Sequence, residues 1–464
     1  MVRPTETRAA RRRLDREIAR LAVPAFLALV AEPLFLLGDS AVVGHLGTAE
    51  LAGLGIAGTV LTTIVGLCVF LAYGTTAGVA RQLGAGRPGA ALAQGVDGLW
   101  LAVAIGLPVT VATALLSPGL VALFGASAPV AEQATTYLRI AAGGITPLLL
   151  VLATTGVLRG LQDTRTPLVV AVAGNLANLV LNVVLVHGTG PLPRLEIAGS
   201  AWGSVIAQVA MALALVTVVL RAARREGASL RPDLPGVRAA ARAGVPLLVR
   251  TLTLRASLLV TTYAVVLAAD SAANTGSGGG GDAVPIATHQ LAMTLWAFLA
   301  FVLDAIAIAA QAITGRHLGA GDVAGTRSVT QRMLAWGVAS GVVTGVLLAA
   351  ASPWLGALFT PDDDVRRALV PVLLVAAAAQ PIAGVVFVLD GVLIGAGDGR
   401  YLAWAGLVVL GGYAPVVLLT SAAGATLPWL WVVFAVLFMG GRLVTLLRRA
   451  AGDAWLVTGA EAVR

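Results

Sequence analysis

Twelve long apolar runs, separated by short polar loops, make up most of this chain. A helix needs about 20 apolar residues to cross the hydrocarbon core of a bilayer. Only 12% of the residues are charged, which is too few to cover the surface of a soluble protein. The sequence therefore predicts an all-α integral membrane protein. The predicted transmembrane helices lie near residues 18–43, 51–80, 92–116, 130–159, 167–187, 197–221, 238–268, 285–315, 328–350, 365–396, 401–421 and 427–447.

The placement of arginine predicts how these spans are oriented. The formal net charge is +8, every basic residue is an arginine, and the arginines cluster in alternate loops and at both ends of the chain. Because arginine-rich loops stay in the cytoplasm, we expect a multi-pass protein of the plasma (inner) membrane with both termini cytoplasmic. The arginines follow no single face and lack interleaved aromatic residues, so we expect no nucleic-acid partner.

An internal repeat divides the spans into two sets of six. Arg81–Gly86 reads RQLGAG and recurs as RHLGAG in Arg316–Gly321, at an offset of 235 residues. Residues 156–165 recur in part at 391–400 with the same offset. Six spans return the chain to the same side, so the repeats are parallel and predict two pseudo-symmetric six-helix bundles around a shared cavity. Such a duplicated scaffold suits alternating access, although a channel or a membrane enzyme could also be duplicated.

The repeat and the arginine loops together predict five regions. They are a cytoplasmic N-terminal segment at 1–20, an N-terminal six-helix bundle at 21–221, a cytoplasmic linker at 222–241, a C-terminal six-helix bundle at 242–449 and a cytoplasmic tail at 450–464.

Two acids lie within the first predicted span, where an ionised side chain is costly and normally faces a cavity or a partner. Glu32 and Asp39 are seven residues apart and share one helix face. Burial and a second nearby carboxylate both favour uptake of a proton, so we interpret Asp39, together with Glu32, as a proton-coupling site. The alternative is that both acids merely lie near the membrane surfaces. The position that matches Asp39 in the second repeat is Thr261, which favours a specialised role for the acid.

The fifth span carries asparagines on one face, at Asn175, Asn178 and Asn182. Asparagines facing lipid would leave their amides without partners, so this face is expected to be buried. It either packs helices together or forms a polar pocket that Asp39 completes.

The second repeat has a polar stripe of its own. In the eighth span, Gln290, Asp304 and Gln311 are separated by multiples of seven residues and are expected to line the interior of the second bundle. Arg255 in the seventh span is deep enough to need a partner, for which Asp304 is the candidate. Arg250 is expected to reach the membrane surface from near the end of its span.

No motif for on-chain energy conversion or catalysis is present in the sequence. The chain has neither a P-loop nor a nucleophile elbow, its histidines lack zinc-ligand spacing, and its one acidic run has no partner motif of the kind a membrane-bound transferase would need. We therefore expect a protein that is not an enzyme, holds no cofactor or metal, and uses an ion gradient.

Several segments, in this order, resemble the multidrug and toxic compound extrusion (MATE) family and specifically its DinF branch. They are Leu21–Pro24 through Glu32–Leu34, Gly38–Gly47, the two arginine–glycine loops, Leu158–Asp163 and Ala287–Gln290. The resemblance implies efflux of organic, often cationic compounds in exchange for protons or sodium ions by a rocker-switch motion. It also implies that Asp39 is the coupling residue and that the first helix bends near Pro24.

One departure from the family affects the choice of coupling ion. The Asn–Asp pair usual in the fifth span of the DinF branch corresponds here to Asn178 and Asn182. The missing carboxylate weakens a sodium site more than a proton site. We therefore expect a monomeric, proton-coupled exporter of organic, amphipathic cations that contacts the lipid bilayer. The alternatives are a sodium-coupled exporter or a lipid-precursor flippase of the same superfamily, and, from another class, a membrane-bound transferase.

Overall fold

A computed structural model describes residues 8–188, 193–274 and 283–460, which are helical along nearly their whole length. Eleven helices in this part are long and apolar enough to cross a membrane, and α1 contains the predicted first span. The helices are α1 Arg8–Gly44, α2 Thr48–Gly84, α3 Pro88–Ala122, α4 Ala128–Gly160, α5 Arg165–His187, α6 Glu196–Arg225, α7 Leu234–Asn274, α8 Ala283–Gly319, α9 Val323–Phe359, α10 Asp363–Gly395, α11 Gly399–Ala422 and α12 Leu427–Ala451. The predicted fold class is confirmed.

Helices extend beyond the predicted spans at the N-terminal segment and at the linker between the bundles. Residues 8–20 of the predicted N-terminal segment already belong to α1, and the predicted linker at 222–241 is shared between the end of α6 and the start of α7. Residues 1–7, 189–192, 275–282 and 461–464 lie outside the described residues.

The sequence repeat is also a repeat of helix packing. A Cβ atom at Gly156 of α4 would collide with the carbonyl oxygen of Ala72 in α2. At the same offset of 235 residues, a Cβ atom at Gly391 of α10 would collide with the carbonyl oxygen of Ala307 in α8. The same pairing recurs one helical turn further along both helices. Glycine is therefore required at these positions because it lets equivalent backbones touch in each bundle.

The two bundles meet mainly through α2 and α8, which are equivalent helices in the repeat. The outer contacts are also equivalent, since α1 packs on α8 while α7 packs on α2. This arrangement is the one that a pseudo-twofold axis between α2 and α8 produces. Helix ends that carry the arginine-rich loops contact one another: Gly84 lies against Arg316, Gly89 against Glu226, and Thr164 against Arg20. We call this side of the molecule the basic face.

At the basic face, the arginine–glycine motifs of the two repeats press against each other. A Cβ atom at Gly84 would collide with the carbonyl oxygen of Arg316, and one at Gly319 would collide with that of Arg81. The last glycines of the motifs, at 86 and 321, adopt left-handed φ angles of 71° and 75°, which glycine tolerates best. The motif thus combines a close backbone crossing with a tight turn.

Arg81 adds polar contacts across the same junction. Its side chain is 0% exposed, and its guanidinium donates hydrogen bonds to the carbonyl oxygens of Ala396 at 2.9 Å and Val457 at 2.5 Å. Val457 belongs to the segment that follows α12, so the C-terminal segment packs into the closed junction together with the second bundle.

Helix α1 ties the bundles together at the basic face as well. Asp15 accepts hydrogen bonds from Arg332 of α9 at 2.6 and 2.7 Å and from the indole of Trp336 at 2.8 Å. The Arg332 guanidinium holds the pKa of the Asp15 carboxyl below its usual value. Glu17 pairs with Arg316 in a second bridge. The basic face is therefore closed in this structure.

Candidate coupling site

Asp39 lies in α1, five residues before the helix ends and far from the basic face. Its side chain is only 8% exposed. The amide nitrogen of Asn182 donates to one carboxylate oxygen at 2.5 Å, and that of Asn178 donates to the other at 3.3 Å. The asparagine face of α5 therefore meets the acid of α1.

Helices α4 and α6 complete the surroundings of this acid. The hydroxyl of Ser204 in α6 donates a hydrogen bond to the side-chain amide oxygen (Oδ1) of Asn178 at 3.4 Å. Tyr137 of α4 lies beside Ser204 and within electrostatic reach of Asp39. A Cβ atom at Gly203 would collide with the side chain of Asn182, so this glycine permits α6 to approach α5 closely. The sequence reasoning missed Ser204 and Tyr137. The available signal for Ser204 was the adjacent Gly203–Ser204 pair within an apolar run.

The amide oxygen of Asn182 makes no hydrogen bond among the described residues, unlike its amide nitrogen. This oxygen is buried. An asparagine amide can donate through its nitrogen to a carboxylate or, turned over, accept through its oxygen from a protonated carboxyl. Asn182 can therefore serve both protonation states of Asp39 without leaving its position.

The other predicted residues of the first bundle contact Asp39 less directly or fall outside the description. Asn175 is half-buried, one turn from Asn178, and makes no hydrogen bond within the described part of the chain. Glu32 belongs to α1, but its side chain lies outside the described residues. Pro24 lies inside the continuous helix α1. Its role as a hinge stays a prediction.

Comparison with known proteins decides the family. The family model MatE matches this chain over residues 24–184 and 272–419, one segment in each predicted bundle. The chain belongs to the MATE family. Among similar curated proteins, Protein DETOXIFICATION 44, chloroplastic, of Arabidopsis thaliana is 30% identical over 446 residues, which cover 93% of this chain and 81% of the relative. DNA damage-inducible protein F of Escherichia coli K12 is 29% identical over 424 residues, with coverages of 90% and 86%.

Solved structures agree with this MATE assignment. The crystal structure of MATE in complex with MaL6 superposes with a TM-score of 0.82 at 19% identity, covering 95% of this chain and 97% of the other. The family model and the curated relatives confirm the predicted resemblance to MATE transporters and to the DinF branch. At the level of the family, this MATE protein is a membrane efflux transporter for multidrug or toxic compounds.

The polar stripe of the second bundle does not form one common site in this MATE structure. Gln290 is exposed, Asp304 is half-buried, and Gln311 is buried under the close crossing of α8 and α10. The predicted pair between Arg255 and Asp304 is absent from the described contacts. Arg255 is exposed, and its guanidinium lies against Gly66 of α2 instead.

An arginine–aspartate cluster that the sequence reasoning missed lies in the second bundle, where Arg250 also packs on the ring of Tyr73 in α2. Arg250 and Arg442 both donate to one oxygen of Asp390, the latter at 3.1 Å. Three arginines interact with the charge of Asp304: Arg250 and Arg442 of the second bundle, and Arg159 of the first. The prediction that Arg250 reaches the membrane surface was wrong, because its guanidinium is largely buried and forms an ion pair with Asp390 inside the protein.

Proposed function

We propose that this MATE transporter exports organic cations in exchange for protons, and that the carboxyl group of Asp39 carries the proton. The observation that supports this most directly is the isolation of that acid. Asp39 is buried in a membrane helix, is held by two amide groups, and has no arginine or histidine partner among the described residues.

An isolated carboxylate at this depth requires a counter-charge. Ionised groups are costly in the membrane interior unless they are paired or hydrated. A proton removes the charge and an organic cation compensates it, but the two cannot both neutralise one carboxylate. Because occupancy is mutually exclusive, binding of one expels the other, and this competition is the coupling that an antiporter needs.

The donor set favours a proton over a sodium ion. Hard cations prefer several oxygen ligands, commonly carboxylates, whereas the described hydrogen-bond partners of Asp39 are two neutral asparagine amides. Within the described residues, no group of three His, Cys, Asp or Glu side chains could hold a metal ion. A single acid surrounded by N–H and O–H groups suits exchange of a proton.

The closed basic face supplies the second half of the proposed mechanism. The arginine bias predicts that this face lies on the cytoplasmic side of the plasma membrane. With the cytoplasmic side closed by α2, α8 and the Arg81 contacts, protons would reach Asp39 from the opposite side. Export then requires the α2–α8 junction to open and admit substrate from the cytoplasm.

Purified protein in liposomes with an imposed pH gradient and a fluorescent organic cation tests this proposal. Asp39→Asn keeps the shape of the side chain but removes its charge, and should abolish pH-driven transport. Asn175→Ala is the matched control, because it changes the same polar face without touching Asp39, and it should retain transport. Undiminished transport by correctly folded Asp39→Asn would refute the proposal, whereas transport driven by sodium alone would refute only the choice of ion.

A further inference from the structure

A cavity of about 430 Å³ opens at the basic face of the first bundle, away from Asp39. Its apolar wall includes Leu92 of α3, Leu161 after α4 and Val218 of α6, and its polar rim includes Arg221 and Arg225 of α6. Three helix ends therefore enclose a pocket with an apolar interior and a basic rim.

The predicted edge of the bilayer passes through this cavity. Leu92 begins the predicted third span, and Arg221 ends the predicted sixth. Val218 is thus on the membrane side of the boundary and Arg225 on the aqueous side. The apolar wall consequently lies at the depth of acyl chains, and the rim at the depth of lipid headgroups.

The two rim arginines are available to an external anion. They are four residues apart, so their side chains are neighbours on one face of α6. Both are exposed, and within the described part of the chain neither guanidinium has an ion-pair or hydrogen-bond partner. One acid, Glu226, also lines the cavity, which leaves the three ionised side chains with a net positive charge.

We propose that this cavity binds an anionic glycerophospholipid whose headgroup carries a hydroxyl, of the phosphatidylglycerol type. Paired guanidinium groups recognise a phosphodiester through charge-assisted hydrogen bonds, and basic pockets between transmembrane helices bind anionic headgroups. The headgroup hydroxyl donates to Glu226, and the acyl chains continue along Leu92 and Val218. The volume is that of a small-ligand pocket, which suits the headgroup and the first methylene groups.

Lipid retention by the full-length protein, measured by native mass spectrometry from mixed phosphatidylglycerol–phosphatidylcholine nanodiscs, tests the site. The site variant is Arg221→Gln with Arg225→Gln. The matched control is Arg224→Gln with Arg231→Gln, which removes the same charge from exposed residues that do not line the cavity. Since an interfacial arginine contributes a factor of about five in affinity, the site variant should bind phosphatidylglycerol roughly 25-fold more weakly and the control should bind it normally.

Other outcomes would overturn the proposal. Equal losses in both double variants would show general surface attraction and no site, and unchanged retention in both would show that the cavity does not bind this lipid. Displacement of the lipid by soluble glycerol 3-phosphate would identify the ligand as a free phosphate ester instead. None of these readouts depends on transport, so they are independent of the test at Asp39.

Discussion

A single added methyl group at Gly84 should shift this transporter away from its closed basic face. The Cβ of Gly84→Ala would overlap the backbone carbonyl of Arg316, which cannot rotate away as a side chain could. Gly74 lies in the same helix, and a Cβ there would meet nothing within 4 Å. The two substitutions are therefore chemically identical and differ only in whether the added methyl group collides with the second bundle.

The magnitude follows from which conformations contain the contact. Overpacking a close contact costs about 1–3 kcal/mol, and here only the closed conformation contains it. The gain in helix propensity of about 1 kcal/mol on replacing glycine by alanine applies to both conformations and cancels. At about 1.4 kcal/mol per tenfold change, the equilibrium should move towards opening by roughly 5- to 150-fold.

Distances between the bundles provide the assay. With Cys68, the one native cysteine, replaced by alanine, spin labels can be placed at Arg224 and Arg400, which are exposed at the basic-face ends of the two bundles. Gly84→Ala should increase the population of longer distances, and Gly74→Ala should reproduce the parent distribution. Gly319→Ala should act like Gly84→Ala, and the double variant should be less than additive because the bundles have already separated.

Parent-like distances in Gly84→Ala, in protein that remains folded, would refute this reasoning. They would mean that the α2–α8 crossing accommodates a methyl group by a local shift, and that the glycines of the two motifs do not control opening. An equal change in Gly74→Ala would show that the shift does not depend on the contact between Gly84 and Arg316.

Two further predictions concern charge. Asn182→Asp places a second carboxylate beside Asp39, and two carboxylates in contact share a proton or a cation. Sodium should therefore raise the thermal stability of this variant but not that of Asn175→Asp. The absence of a sodium response in Asn182→Asp would contradict this prediction. Arg332 lowers the pKa of Asp15, so their bridge is complete above about pH 4 and is lost only as the pH falls through the lowered value. Asp15→Asn should therefore increase opening by the same small factor at pH 5 and pH 8, in the spin-label distances, and a pH-dependent difference would contradict this.

Features set by local rules were predictable from the sequence. Apolar length and arginine bias specified the spans, since each depends on one helix and the bilayer alone. The seven-residue spacing of Asn175 and Asn182 placed them on one face of a helix, and the cost of burying amides made a polar partner necessary. The sequence left open whether that partner was a neighbouring helix or Asp39, and the structure places the amide nitrogen of Asn182 2.5 Å from the carboxylate of Asp39.

Pairings between helices were not predictable, because they depend on the lateral order and rotation of helices in the bundle. Arg255 and Asp304 lie in consecutive spans, yet neighbours in the chain need not present facing sides. Asp390 binds Arg250 and Arg442 across large separations in the chain, and no periodicity within one helix encodes such a contact. The sequence showed Gly84 and Gly319 only as equivalent positions of a repeated motif. The backbone collision that each glycine avoids becomes evident only when the two bundles are packed together.

The junction proposed to open is symmetric, but the site proposed to control it is not. Thr261, which matches Asp39 in the second repeat, is buried and shares a hydrogen bond of 2.7 Å with the hydroxyl of Tyr413. That pair is neutral and fully satisfied, so the second bundle has no charge to neutralise at this position. Protonation of Asp39 would therefore change the packing of α1, α5 and α6 in the first bundle alone. Because α1 also reaches the second bundle through Asp15 and Glu17, this one helix connects the acid to the closed face at its other end.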